Sequence, residues 1–306
     1  MQEGSFKMQF KKAFTMLELI MVIVIMGIIA KFGVEFLAQA YRSYIHSTIN
    51  NKLINQSETA IEFVADRLQY RLKDSIIVRQ DDNNKSNYTA LSTADDAKDY
   101  ITLEWVQNDI ASLKGSYNGT YFKPDYSAII DLDESNKTTL ISPETNTSAI
   151  SSYIDTLSNG NSDFNDTAIY FIGGNSDIDG YGWDGVAIDD QNHTMHPIKS
   201  SDNNLSYFLD DTSAGDFSGV DVYEYYQISW NANAFELKDG NLSFYYDYQP
   251  WEGEYYRDDA KKVVLMQNVD TFRFIAIGSV VKIQLCVHSD LVDNEEYSVC
   301  KEKTIF

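Results

Sequence analysis

Positive charge is scarce in this chain. Twenty-four Lys and Arg stand against 46 Asp and Glu, a formal net charge of −22 over 306 residues. So acidic a surface repels phosphate backbones, which argues against nucleic acid as a direct partner and makes cations the more natural small ligand. Cysteine is nearly absent. Cys286 and Cys300 allow at most one disulfide, and no His cluster accompanies them, so neither a catalytic thiol nor a Cys metal site is expected. The chain holds no G-x-S-x-G, Walker loop or dinucleotide fingerprint, and no pair of carboxylates stands out, so it is not expected to be an enzyme. Nor does it hold an internal repeat. What remains is length enough for one large or two small domains, and aromatic residues in plenty: 21 Tyr, 16 Phe and 4 Trp.

One long apolar run is present. Residues 14–30 carry a single charge, Glu18, in the sequence Phe-Thr-Met-Leu-Glu-Leu-Ile-Met-Val-Ile-Val-Ile-Met-Gly-Ile-Ile-Ala. The run is just long enough to span a bilayer. A carboxylate carried into lipid costs roughly 2.5–3.5 kcal/mol unless it finds a partner, so a lone acid in such a span is a functional candidate. Ala30-Lys31-Phe32 offers no small-x-small cleavage pattern after the run, which argues against an ordinary secretory signal. The Lys residues before the run should stay cytoplasmic, leaving the bulk of the chain outside.

Lys11-Lys12-Ala13-Phe14-Thr15-Met16-Leu17-Glu18-Leu19 resembles the class III signal of type IV prepilins and type II secretion pseudopilins. The resemblance implies cleavage between Ala13 and Phe14 by the prepilin peptidase, N-methylation of Phe14, and pairing of Glu18 with the terminal ammonium of a neighbouring subunit during assembly. Gly27 also stands where many members carry glycine. Ala13 replaces the usual Gly, and Glu35 lies where major pilins often have a helix-kinking Pro, which fits a minor pilin or pseudopilin better. Residues 265–274 and the segments after them look like the carboxy end of larger J-type pseudopilins. The implied function is a subunit of the tip or initiation complex of a type IV pilus or type II secretion pseudopilus. It would sit in the inner membrane of a prokaryote by a single pass, with its head in the periplasm or at the cell surface, and with other pilins or pseudopilins as partners. Two alternatives are an adhesive tip subunit that binds a surface or carbohydrate, and a membrane-anchored extracytoplasmic enzyme.

The implied organisation is a leader over 1–13, a transmembrane assembly helix over 14–33, an amphipathic spine over 34–79 and a head over 80–306. Phe32, Phe36, Leu37, Ala40, Tyr44 and Ile45 continue the helical period. A break is expected at Asn50-Asn51, and Asn55 with Glu58 predicts a capping box for a second helix. In that helix Ile61, Val64, Leu68 and Leu72 form a stripe, with Asp66, Arg67, Arg71 and Lys73 facing water. Residues 80–100 read as a polar loop. Strands are predicted over 101–106, 168–172, 222–230, 241–248, 261–267, 269–277, 280–288 and 297–306, with hairpin turns at Asp239-Gly240 and Gly278-Ser279. The fold class is α+β, a long amino-terminal helix packed on an antiparallel, pilin-like head. In an exported chain Cys286 and Cys300 suggest one disulfide closing a loop of about 15 residues, worth roughly 3 kcal/mol; a pair of buried thiols is the alternative.

Asn175, Asp177 and Asp179, followed by Gly180, match the first half of a calcium loop: oxygens at alternate positions and a Gly for the sharp bend. The twelfth position is Val186 and not the usual Glu, and Asp184, Asp189 or Asp190 would have to take its place. Calcium is therefore a candidate ligand, and a Gly/Asp-rich surface turn is the simpler account. His193 and His196 are expected to be a satisfied or solvated pair. The aromatic-dense segments at 223–226, 245–251 and 255–256 suit either a sugar- or protein-binding face or cross-strand pairs.

Overall fold

A computed structural model describes residues 15–80, 83–95, 99–117, 119–289 and 297–306. One long apolar helix and a set of antiparallel sheets make the chain α+β. It divides into two compact units, Met1–Lys52 and Leu53–Phe306.

The helix runs without interruption over Met16–Leu68, 53 residues. The break expected at Asn50-Asn51 does not occur. Asn in a helix interior costs only about 0.7 kcal/mol relative to Ala, and no Gly or Pro stands near this pair to stop the helix. The capping box expected at Asn55 and Glu58 does not form either. Thr59 Oγ1 donates to the Asn55 carbonyl as one more turn of helix, and Glu58 reaches out to Lys301.

Within the second unit, Leu53, Ala60, Ile61, Val64 and Leu68 are buried at helical spacing. In the same unit the helix meets, through Phe63 and Arg67, one face of a six-stranded sheet ordered Lys261–Met266, Asn241–Tyr248, Asn231–Lys238, Thr102–Gln107, Ile77–Arg79, Thr89–Ala90. All neighbours are antiparallel. Phe63 meets Phe235 and Phe244 edge-on at 6.3 and 5.2 Å, and Trp105 lies 5.4 Å from Phe235. The other face covers a core of Tyr181, Trp183, Tyr245, Tyr248, Trp251 and Tyr256. The central strands are thus buried on both sides, so their sequences do not alternate.

A second six-stranded sheet has the order Tyr226–Ser229, Ala168–Phe171, Met195–Ser200, Tyr207–Asp210, Thr139–Ile141, Asp131–Asn136. The helix Thr147–Ser158 covers it, capped by the Asn146 side chain and closed by Asn159 in the left-handed region; Ile150 and Ile154 enter a core with Phe164, Phe208, Tyr226 and Ile228. A third sheet is the meander Val269–Ile277, Val280–His288, Ser298–Ile305. Cys286 and Cys300 lie directly opposite in its register and are bonded, S–S 2.09 Å. Lys301 and Lys303, two apart on one strand face, pair with Glu58 and Glu62, four apart on one helix face, at 2.7 and 2.5 Å.

Arg71, expected to face water, is buried. Its guanidinium donates to the Leu68 carbonyl at the helix end (2.7 Å) and to the Ser279 carbonyl in the Gly278-Ser279 turn (2.8 Å). A cation at a helix carboxy terminus is also favoured by the helix dipole. The predicted strand over 222–230 is confined to Tyr226–Ser229, and Asn231–Lys238 forms a separate strand that pairs with Asn241–Tyr248 across the Asp239-Gly240 turn.

Candidate functional site

Ala13 and Phe14, the expected cleavage and methylation positions, lie outside the described residues. Glu18 stands in the first turn of the long helix and closes a reciprocal capping box. Its Oε2 accepts from the Thr15 amide (3.0 Å) and hydroxyl (2.9 Å), while Thr15 Oγ1 accepts from the Glu18 amide at 3.3 Å. The pattern Thr-x-x-Glu could have been read from the sequence as a helix start. The helix is long and apolar enough to cross a membrane, and its residues from Met16 through Leu37 are exposed.

The four candidate calcium ligands occupy one loop but are engaged separately. Asp177 caps a short 3-10 helix, Ile178–Tyr181, accepting from the Asp179 amide at 3.2 Å. Asp179 Oδ1 accepts from the Tyr88 hydroxyl (2.8 Å), and Asp184 Oδ1 from the Val186 amide (3.1 Å). Asn175 is exposed. The glycines have a packing role. A Cβ on Gly180 would lie 2.5 Å from the Thr194 amide, and one on Gly182, whose φ is +83°, 2.3 Å from the Pro250 carbonyl. Among the described residues the trio that could share one ion is Asp189, Asp190 and His193, just beyond this loop and largely exposed. His196 is buried, and burial lowers its pKa to about 4.

The aromatic-dense segments resolve mostly into core. Tyr226, Tyr245, Tyr248, Trp251, Tyr255 and Tyr256 are buried, whereas Tyr225 is exposed. The Tyr245, Tyr248 and Tyr256 hydroxyls serve charges that point inward from the first sheet. Arg79, 1 % exposed, pairs with Glu104, also 1 % exposed, and donates to the carbonyls of Lys85 and Trp183 while lying 5.2 Å from the centre of the Tyr255 ring. Tyr248 donates to the second Glu104 oxygen at 2.9 Å. Burial alone would lower the Arg79 pKa, but the Glu104 carboxylate more than offsets it and the net shift is upward; burial, then the same carboxylate, pushes the Tyr248 hydroxyl well up. Glu236 is served likewise by Arg257 (2.7 Å), Tyr245 (2.8 Å) and Tyr256 (3.0 Å). These carboxylates are closed off by their partners and offer nothing to a substrate.

A cavity of about 510 Å³ opens beside the edge strand Val269–Ile277, with Leu91, Tyr100 and Phe272 in its wall. Within its wall Lys282 pairs with Glu302 at 2.7 Å and Arg273 lies 3.9 Å from Asp99, while Asp270 pairs with His288 outside it.

Sequence reasoning missed one group of surface residues. Tyr117, Tyr121 and Phe122 project from the two-stranded ribbon Ser116–Tyr117 and Phe122–Lys123. Their neighbours are Gly, Ser, Asn and Thr with no alternating pattern, so nothing in the local sequence marks them. Comparison of the chain with protein-family models, with curated proteins and with solved structures finds no match.

Proposed function

We propose that this chain is an assembly subunit of the type IV pilin and pseudopilin class, a minor pilin or J-like pseudopilin of a tip or initiation complex. The observation that carries the reading is a single carboxylate in the first turn of an exposed apolar helix, directly after Lys-Lys-Ala-Phe. In this reading the prepilin peptidase removes residues 1–13 in the inner membrane and exposes the Phe14 amine. Glu18 then exchanges its Thr15 donors for the ammonium of a neighbouring subunit. In a low-dielectric medium that attraction far exceeds its strength in water, so it sets the axial register of the helices. Other pilins or pseudopilins are the partners, and the acidic head stays on the outer side of the membrane.

Intact-mass and amino-terminal analysis of the protein from its native membrane tests the reading. A chain that begins at N-methylated Phe14 supports it; an uncut chain beside active peptidase refutes it. Glu18→Ala should insert normally and fail to enter the assembled complex, and normal incorporation of that variant would refute the register role. Calcium binding by Asn175, Asp177 and Asp179, completed by Asp184, is proposed on the alternating oxygens of the first three alone. It predicts a higher melting temperature in calcium than in chelator, a difference abolished by Asp177→Ala with Asp179→Ala. Equal melting of the unaltered protein in both conditions would sink it.

A further inference from the structure

Large aromatic side chains are normally withdrawn from water, because each ring buries much apolar area. Tyr117, Tyr121 and Phe122 remain 60, 59 and 65 % exposed within six residues of one another. The Tyr117 and Phe122 rings face across the ribbon at 5.4 Å, inclined by 48°. A neighbouring set of exposed rings marks an interaction surface.

The ribbon is firmly rooted. Gly115 has φ +73°, and a Cβ there would lie 1.8 Å from the Lys123 carbonyl, so the two strands meet as closely as backbones can. The Asp125 amide donates to the Ser112 carbonyl at 2.9 Å, and Ser116 Oγ donates to the buried Asp125 carboxylate at 3.3 Å. The helix Ile110–Lys114 beneath is capped by the Asp109 side chain. At the tip the Tyr117 hydroxyl donates to the Gly119 carbonyl (2.9 Å), which fixes that ring. The Tyr117 ring, with Phe122 packed beside it, is therefore held in place, which lowers the entropic cost of binding.

Charge decides what fits there. Residues 115–122 contain no charged side chain, in a protein of net charge −22. The flanking cations are engaged, Lys123 with Glu144 at 3.2 Å and Lys114 over the Tyr70 ring at 5.7 Å. The surrounding field repels acidic polymers and anionic lipid headgroups. The ring faces are electron-rich and complement the weakly positive C–H face of an uncharged sugar ring. We propose that the paired strands Ser116–Tyr117 and Phe122–Lys123, with Tyr121, bind a neutral polysaccharide through stacking on Tyr117, Tyr121 and Phe122. The inference does not depend on the assembly reading, and its test involves neither cleavage nor Glu18.

The test is electrophoresis of the full chain in mild detergent through gels containing hydroxyethylcellulose, galactomannan or dextran, with alginate as an acidic polymer and flotation with phosphatidylcholine vesicles in parallel. Retardation by at least one neutral polymer and not by alginate is expected. Tyr117→Ser with Phe122→Ser should weaken it about tenfold, and Tyr121→Ser alone by a smaller factor, with the denaturation midpoint unchanged because the rings are exposed. Ile277→Ser, which removes an equally exposed apolar side chain elsewhere, should leave retardation intact. The proposal is overturned by mobility unaffected in all three neutral gels, by retardation that survives the double substitution, by equal loss with Ile277→Ser, or by ribbon-dependent binding to the vesicles or alginate alone.

Discussion

Replacing Arg79 by Met keeps much of the side-chain volume and removes the guanidinium. Glu104 then loses its cationic partner in a site that is 1 % exposed, with the Tyr248 hydroxyl as its remaining donor on this side of the sheet, and the carbonyls of Lys85 and Trp183 lose a donor. Breaking one half of a buried pair costs about 3–5 kcal/mol, and a stranded buried acceptor about 1–3 kcal/mol. These terms overlap, so the expected loss is about 5 kcal/mol, a large share of the 5–15 kcal/mol that holds a typical domain. For a unit of this size the melting temperature should fall by about 10–20 °C. The assay is urea unfolding in mild detergent followed by tryptophan fluorescence, since all four Trp are buried in the second unit. Arg79→Met combined with Glu104→Leu should be less damaged than the two single losses summed, by about 3 kcal/mol, because the second change removes the orphaned charge. A loss under about 1 kcal/mol for Arg79→Met, or strict additivity of the pair, would refute the reasoning.

Cys286→Ser with Cys300→Ser should lower stability by about 3 kcal/mol, the chain-entropy value for a loop of this length. Unfolding of the unaltered protein with and without reductant should show the same difference, and no difference in either experiment would refute it. The His196 ring is held neutral, with a pKa of about 4 against roughly 6.5 in the unfolded chain. Its depressed value means that the unfolded state binds the proton more readily. Stability from this group is therefore complete above pH 6.5 and is lost as pH falls toward 4, by about 3 kcal/mol. The stability gap between the unaltered protein and His196→Gln should narrow across that window, and a gap constant from pH 7 to 4 would contradict the assignment.

The third sheet was legible because its burial follows the letters. Val280–His288 alternates between buried and half-buried along its whole length, and Val269–Ile277 and the Gly278-Ser279 turn fall where β-branched content and turn chemistry put them. The centre of the first sheet was not. Asn231–Lys238 carries Asn233 and Glu236 inward, where Asn233 meets Gln107 at 2.9 Å and Glu236 meets two tyrosines and an arginine. Polar letters with distant partners look like loop until those partners are known. The same holds for Arg71, whose acceptor at Ser279 lies 208 residues away. Met195–Ser200 was obscured by Pro197, which argues against a strand yet sits at the end of its ladder with Ala168. The Cys286–Cys300 bridge was legible from chemistry and spacing. The exposed ring trio was not, because exposure is a property of the fold and leaves no local trace.

The two lysine–glutamate pairs between Ser298–Ile305 and the long helix have a consequence for how the chain reaches its final state. Glu62 and Lys303 are 241 residues apart. During synthesis the helix segment from Leu53 to Leu68 must wait for nearly the whole second unit before its outer ionic partners exist. Closure over such a separation belongs among the slow, late events of folding. Until then Glu58 and Glu62 remain solvated and keep the segment soluble. A chain stopped before Ser298 would hold its aromatic cores and the Phe63 contact but lack the strand that supplies the helix with Lys301 and Lys303.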